Sequence, residues 1–117
     1  MAIKISGELG DIFVEKLVIA KIAGNAAKQC YGVVGMAARG KKDGIVNLLL
    51  GENMTKGIHV SVGDRGIVID MHIMAEYGTN LNTIGDSIAE RIQYIIQEII
   101  GLKVTKVDVH VEGIRVD

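Results

Sequence analysis

At 117 residues, with 49% hydrophobic side chains and a formal net charge of −1, the chain is long enough to form one domain, 1–117, with a sizeable aliphatic core. Its 13 basic and 14 acidic residues are interspersed, which argues against an electrostatically driven nucleic-acid binder. No apolar run approaches the roughly 18 residues that a membrane span needs, and the start Met1-Ala2-Ile3-Lys4 does not read as a signal peptide. Cys30 is the only cysteine, so an internal disulfide is excluded, which fits a reducing cytosol.

Taken in chain order, Ile3-Lys4-Ile5-Ser6 alternates as a short first strand. Asp11 offers an N-cap, and the stretch from there to Cys30 is predicted as a helix. Its inward stripe is Ile12, Ile19, Ile22, Ala23, Ala26 and Cys30, and the small Gly24, Ala26 and Ala27 allow another element to approach closely. Gly32 is placed to end the helix. Val33-Val34-Gly35-Met36 is predicted as an apolar loop and Arg39-Gly40-Lys41-Lys42 as a solvated basic loop. Asp43 to Gly51, containing Ile45, Val46, Leu48, Leu49 and Leu50, is predicted as a short helix.

The next two segments alternate, Gly57-Ile58-His59-Val60-Ser61-Val62 and Ile67-Val68-Ile69-Asp70-Met71-His72-Ile73, with the turn Gly63-Asp64-Arg65-Gly66 between them. Pairing about the turn's centre sets Val62 against Ile67, Val60 against Ile69, Ile58 against Met71 and His59 against Asp70. Every pair then joins like with like. From Asn80 to Ile100 the period becomes helical, with Leu81, Ile84, Ile88, Ile92, Ile95 and Ile99 in one stripe and Gly101 as the stop. Isoleucine is a mediocre helix former, so tertiary packing must hold this element. Gly85, Ala89, Ile96 and Ile100 widen its apolar arc beyond what one sheet face needs.

In the last strand Val107, Val109 and Val111 take the odd positions and Lys106, Asp108, His110 and Glu112 the even ones. After Gly113 the phase flips to Ile114 and Val116. Side chains alternate with period two, so a flip without a turn needs one extra residue, a bulge. Gly113 is the expected site, as a residue able to supply a positive φ. The order β-α-(α)-β-β-α-β implies an α+β two-layer sandwich: a mixed or antiparallel sheet of three to four strands, with both helices on one face. A right-handed crossover and a ferredoxin-like strand order are the simplest arrangement.

His59, His72 and His110 all fall on the sheet face opposite the helices, together with Asp70, Asp108, Glu76 and Glu112. Alternation alone places such residues on a solvated face. No HxxH, HxxxH or carboxylate pair has ligand spacing, and strand neighbours point in fixed directions that rarely converge, so no metal site is expected. Cys30 reads as a core cysteine rather than a nucleophile. There is no phosphate-binding or nucleophile-elbow motif, so neither catalytic nor cofactor-binding residues are expected. The tetrads Gly32-Val33-Val34-Gly35 and Gly63-Asp64-Arg65-Gly66 match the clamp loop of a KH RNA-binding domain only in spacing. The first is apolar and the second is a hairpin turn.

Ile5-Ser6-Gly7, the run Val18 to Ala27, Tyr31 to Met36, Thr55-Lys56-Gly57-Ile58, Ala75-Glu76-Tyr77-Gly78 and the closing run Val107 to Val116 together resemble the alkaline shock protein family of Gram-positive bacteria, in particular its small YloU-type members. The resemblance covers nearly the whole chain in order. It implies a non-enzymatic cytoplasmic protein of envelope and alkaline stress that binds protein partners, and the excess of apolar residues points separately to homo-oligomers. In some members those partners include a membrane-anchored one that holds the protein at the inner face of the membrane, without direct insertion. The alternative is a small regulator of lipid-synthesis enzymes, because some relatives are linked by genetic context to fatty-acid metabolism. The family offers no catalytic residues to carry over. The expected contact surfaces, read from the excess of apolar residues, are Val33, Val34 and Met36 and the helix flank Ala89, Ile96 and Ile100.

Overall fold

The structure, a computed structural model, describes residues 2–39 and 46–116. Two strands come first, β1 (Ala2–Gly7) and β2 (Gly10–Glu15), followed by helix α1 (Lys16–Lys28). Strands β3 (Val33–Arg39) and β4 (Val46–Leu49) lead through a short 3-10 helix (Gly51–Gly57) into β5 (Ile58–Val62) and β6 (Ile67–Glu76). Helix α2 (Leu81–Ile99) and β7 (Val104–Arg115) close the chain.

The class is the expected α+β, with a mixed five-stranded sheet. At its centre β6 pairs in parallel with β7 along one side. Its other side is shared, antiparallel β5 covering Ile67 to Met71 and antiparallel β3 covering Ile73 to Ala75. On the inward face of β6, Ile67, Ile69, Met71, Ile73 and Ala75 are buried. They form one core with Ile19, Ala23 and Ala26 of α1 and Ile84, Ile88, Ile92 and Ile96 of α2. The α1 residues are small where the helix nears the 3-10 helix and β5: a Cβ on Gly24 would meet Ile58 Cδ1 at 3.1 Å.

The hairpin forms in the expected register, His59 against Asp70 included. Helix α2 also lies where the period placed it, and the Asn80 side chain caps it by accepting from Thr83 N at 3.2 Å. Its buried ridge runs Ile84, Ile88, Ile92, Ile96, and Ile99 is 65% exposed. The bulge falls where the sequence flips: Val111 pairs with Ile73 and Gly113 with Met74, leaving Glu112 as the extra residue. Gly113 is not among the positive-φ glycines, so the bulge needs no left-handed backbone. A Cβ there would instead press on Met74 Cε at 3.3 Å.

Three expectations are corrected. The first helix begins at Lys16, not after Asp11. Residues 10–15 instead pair with β1 in a separate two-stranded sheet, which leaves Ile12 64% exposed rather than on an inward stripe. Val33 to Met36 is a strand rather than a loop, and Met36 is fully buried in it. Val46 to Leu49 is also a strand, paired with β3 from Met36↔Leu49 to Arg39↔Val46, where a short helix was expected. A run of four to eight apolar residues cannot distinguish the two states by period alone, and the pairing edge of β3 decides it. Gly40 to Lys42 of the basic stretch, and Asp43 to Ile45, lie outside the described residues.

Candidate functional site

Two features of the surface stand out, and they come from different parts of the sequence. The first is the β1–β2 arm. Glu8 and Leu9 turn between Gly7 and Gly10, and the two strands pair from Ala2↔Glu15 to Gly7↔Gly10 without joining the main sheet. Only its base is anchored, through buried Ile3 beside half-buried Val14. Towards the tip, Ile12 and Phe13 are each 64% exposed and Leu9 is wholly exposed. Leu17 and Val18 on the first turn of α1 are exposed as well, at 54% and 45%. An isolated two-stranded hairpin is marginally stable in water, so an arm of this kind gains most from being covered.

The second is the histidine face. The β5–β6 register sets His59 beside Asp70, and the β6–β7 register sets Asp70 beside Asp108 and His72 beside His110. The His72 and His110 rings stack with centroids 4.7 Å apart, and His59 meets His72 edge-on at 6.2 Å. His110 Nε2 bonds Asp70 Oδ1 at 2.5 Å. His72 Nδ1 donates to Glu112 Oε1 at 2.9 Å, so the bulge residue reaches back over its own strand. Strand neighbours were expected not to converge, and here they do: donor atoms of Asp70, His72 and His110 lie within 4.8 Å of one another. The parallel pairing of β6 with β7 is what brings this about.

The residues expected to form contact surfaces are scattered. Met36 and Ile96 are fully buried in the core and present no surface to a partner, because Met36 lies on an inward strand position and Ile96 on the core ridge of α2. Val33, Val34, Ala89 and Ile100 are half-buried. The arm residues Leu9, Ile12 and Phe13 were missed, although the glycines at 7 and 10 bracketing two residues were a legible turn signal. Cys30 lies half-buried just beyond α1, its Sγ 3.6 Å from Ala26 O. Burial pushes its thiol pKa up, and the nearby Arg91 guanidinium offsets part of that rise. This is the opposite of what an activated nucleophile needs. Among the described residues no helix is long and apolar enough to cross a membrane.

Together the fold and these two surfaces define a small α+β scaffold with an apolar arm at one end and a polar, histidine-rich open sheet face. Residues 4–116 match the model of the alkaline shock protein family, described as having a cell envelope-related function, and the chain belongs to that family. It is 38% identical to the uncharacterized protein YloU of Bacillus subtilis, over 99% of this chain and 98% of that one. It is 31% identical to a stress response regulator gls24 homolog of Streptococcus pyogenes, over 91% of this chain and 59% of the relative. Among solved structures, one titled MamM-CTD H285A superposes with a TM-score of 0.50 over 85% of this chain and 98% of that one. At 15% identity that likeness speaks to the fold alone.

Proposed function

We propose that this chain is a non-enzymatic cytoplasmic protein of the envelope and alkaline stress response, working through self-association and partner binding. A membrane-anchored partner would hold it at the inner face of the membrane. The observation that carries this reading is the β1–β2 arm, with Leu9, Ile12 and Phe13 exposed in a hairpin outside the main sheet. Fully burying one such side chain contributes about 1.5–3 kcal/mol, so covering several at once supplies free energy to set against the entropic cost of association. A partner strand can also add to the open edge of a two-stranded sheet. Val33 and Val34 on β3, and Ala89 and Ile100 on and just after α2, are half-buried and add only small separate apolar patches. The relatives named as stress response regulators support a regulatory rather than catalytic role.

Light scattering over a concentration series tests this reading. The wild-type mass rises above that of one chain, and Ile12→Glu with Phe13→Glu returns it to one chain while circular dichroism stays unchanged. A wild type that remains a single chain throughout, and that captures no protein from its host through the arm, contradicts the proposal.

A further inference from the structure

The histidine face carries chemistry that the association reading does not use. We propose that Asp70, His72 and His110 form a binding site for a divalent transition-metal ion, zinc above all. Two imidazoles and one carboxylate are a nitrogen-rich donor set that suits zinc and its neighbours, whereas magnesium and calcium require all-oxygen shells. The ligands come from two adjacent strands, β6 and β7, whose backbones are held in register by the sheet.

The geometry is close to what the ion needs. With zinc–ligand bonds of about 2.0–2.2 Å in a tetrahedron, donors sit about 3.3–3.5 Å apart. The three donors are already within 4.8 Å of one another. An ion lies in the plane of each imidazole it binds, whereas the His72 and His110 rings now stack 16° from parallel with centroids 4.7 Å apart, so the His110 ring must turn as well as close in; the Asp70 and His110 side chains that move are 42% and 48% exposed. The ion replaces the proton between His110 Nε2 and Asp70 Oδ1, and the imidazole carries its proton on Nδ1 instead. His72 is oriented in advance. Its Nδ1–H donates to Glu112, which fixes the tautomer and leaves the Nε2 lone pair for the metal, the arrangement in which a carboxylate behind a histidine strengthens it as a ligand. Glu112 holds that place because it is the extra residue of the bulge. Asp108, paired with Asp70 on the same face, adds negative charge beside the site. Three protein ligands leave the fourth position to water.

Calorimetric titration of tag-free full-length protein with zinc chloride tests the site, with cobalt(II) absorption as a second readout. The expected result is one ion per chain at micromolar affinity, with cobalt d–d bands and no thiolate charge-transfer band. Binding is expected to persist in Cys30→Ser and to be lost in His72→Ala/His110→Ala, with circular dichroism confirming that both variants are folded. Glu112→Gln, which touches no metal, should weaken affinity about 10- to 100-fold. No heat at tens of micromolar zinc overturns the proposal. So does binding that survives His72→Ala/His110→Ala or disappears in Cys30→Ser. The outcome is independent of whether the arm associates.

Discussion

Replacing Gly66 by alanine should remove a large part of the stability of this fold. Gly66 has φ +151°, a conformation that side-chain-bearing residues rarely adopt. An added Cβ would sit 2.5 Å from Lys103 O and 3.0 Å from Thr105 Cγ2. The first of these is backbone and cannot swing away. Lys103 O also accepts from Ile67 N at 2.9 Å, and Gly66 O accepts from Gly63 N at 2.8 Å, so the same few atoms close the hairpin turn and join the starts of β6 and β7. The backbone penalty is about 1–3 kcal/mol. Displacing Lys103 endangers a hydrogen bond of about 0.5–1.5 kcal/mol. The sum, about 1.5–4.5 kcal/mol, is a large share of the roughly 5–15 kcal/mol that holds a domain folded. Urea unfolding followed by circular dichroism measures it as a lowered midpoint at an unchanged slope. Gly10→Ala is the control, with φ +147° but nothing within 4 Å of the new Cβ. A Gly66→Ala midpoint equal to that of Gly10→Ala would refute the steric argument, leaving only the shared φ penalty.

Gly85 lies inside α2 with open space around a built Cβ, so Gly85→Ala should stabilise the fold by about 0.5–1 kcal/mol; a lower urea midpoint would show that the helix needs glycine there. The raised Cys30 pKa predicts that its thiolate forms at higher pH than that of a free cysteine peptide. Alkylation by iodoacetamide near pH 8 should therefore be slower than for the peptide, and slower again in Arg91→Gln, which removes the cation favouring the thiolate. An equal or faster rate in that variant would contradict the electrostatic reading.

Much of this fold is legible in the residues themselves, where local pattern and local partner agree. The β5–β6 hairpin carries its register in its own alternation, and α2 carries both its cap, Asn80, and its period. The flip after Glu112 marks the bulge because an inward valine series cannot change face otherwise. What escapes the sequence is set at a distance. Val46 to Leu49 is a strand because β3 offers it an edge, and nothing within those four residues says so. Ile12 and Phe13 look like core residues because apolar side chains are ordinarily buried, and an arm that exposes them breaks that expectation. The histidine cluster shows both sides. The hairpin register already sets His59 beside Asp70, but the meeting of His72 with His110 depends on how β7 slides along β6. That offset is fixed by the Ile67–Lys103 hydrogen bond and by register shifts near both ends of the pairing.

Association through the arm is examined most directly by photo-crosslinking in living cells of the native host, with a benzophenone side chain placed at Phe13 on the arm or at Glu98 on the exposed polar side of α2. Discrete crosslinked products are expected from position 13, either a second copy or a distinct protein identified by mass spectrometry, and far fewer from position 98. Crosslinks absent from position 13, or equally abundant at both positions, would contradict a role for the arm in binding.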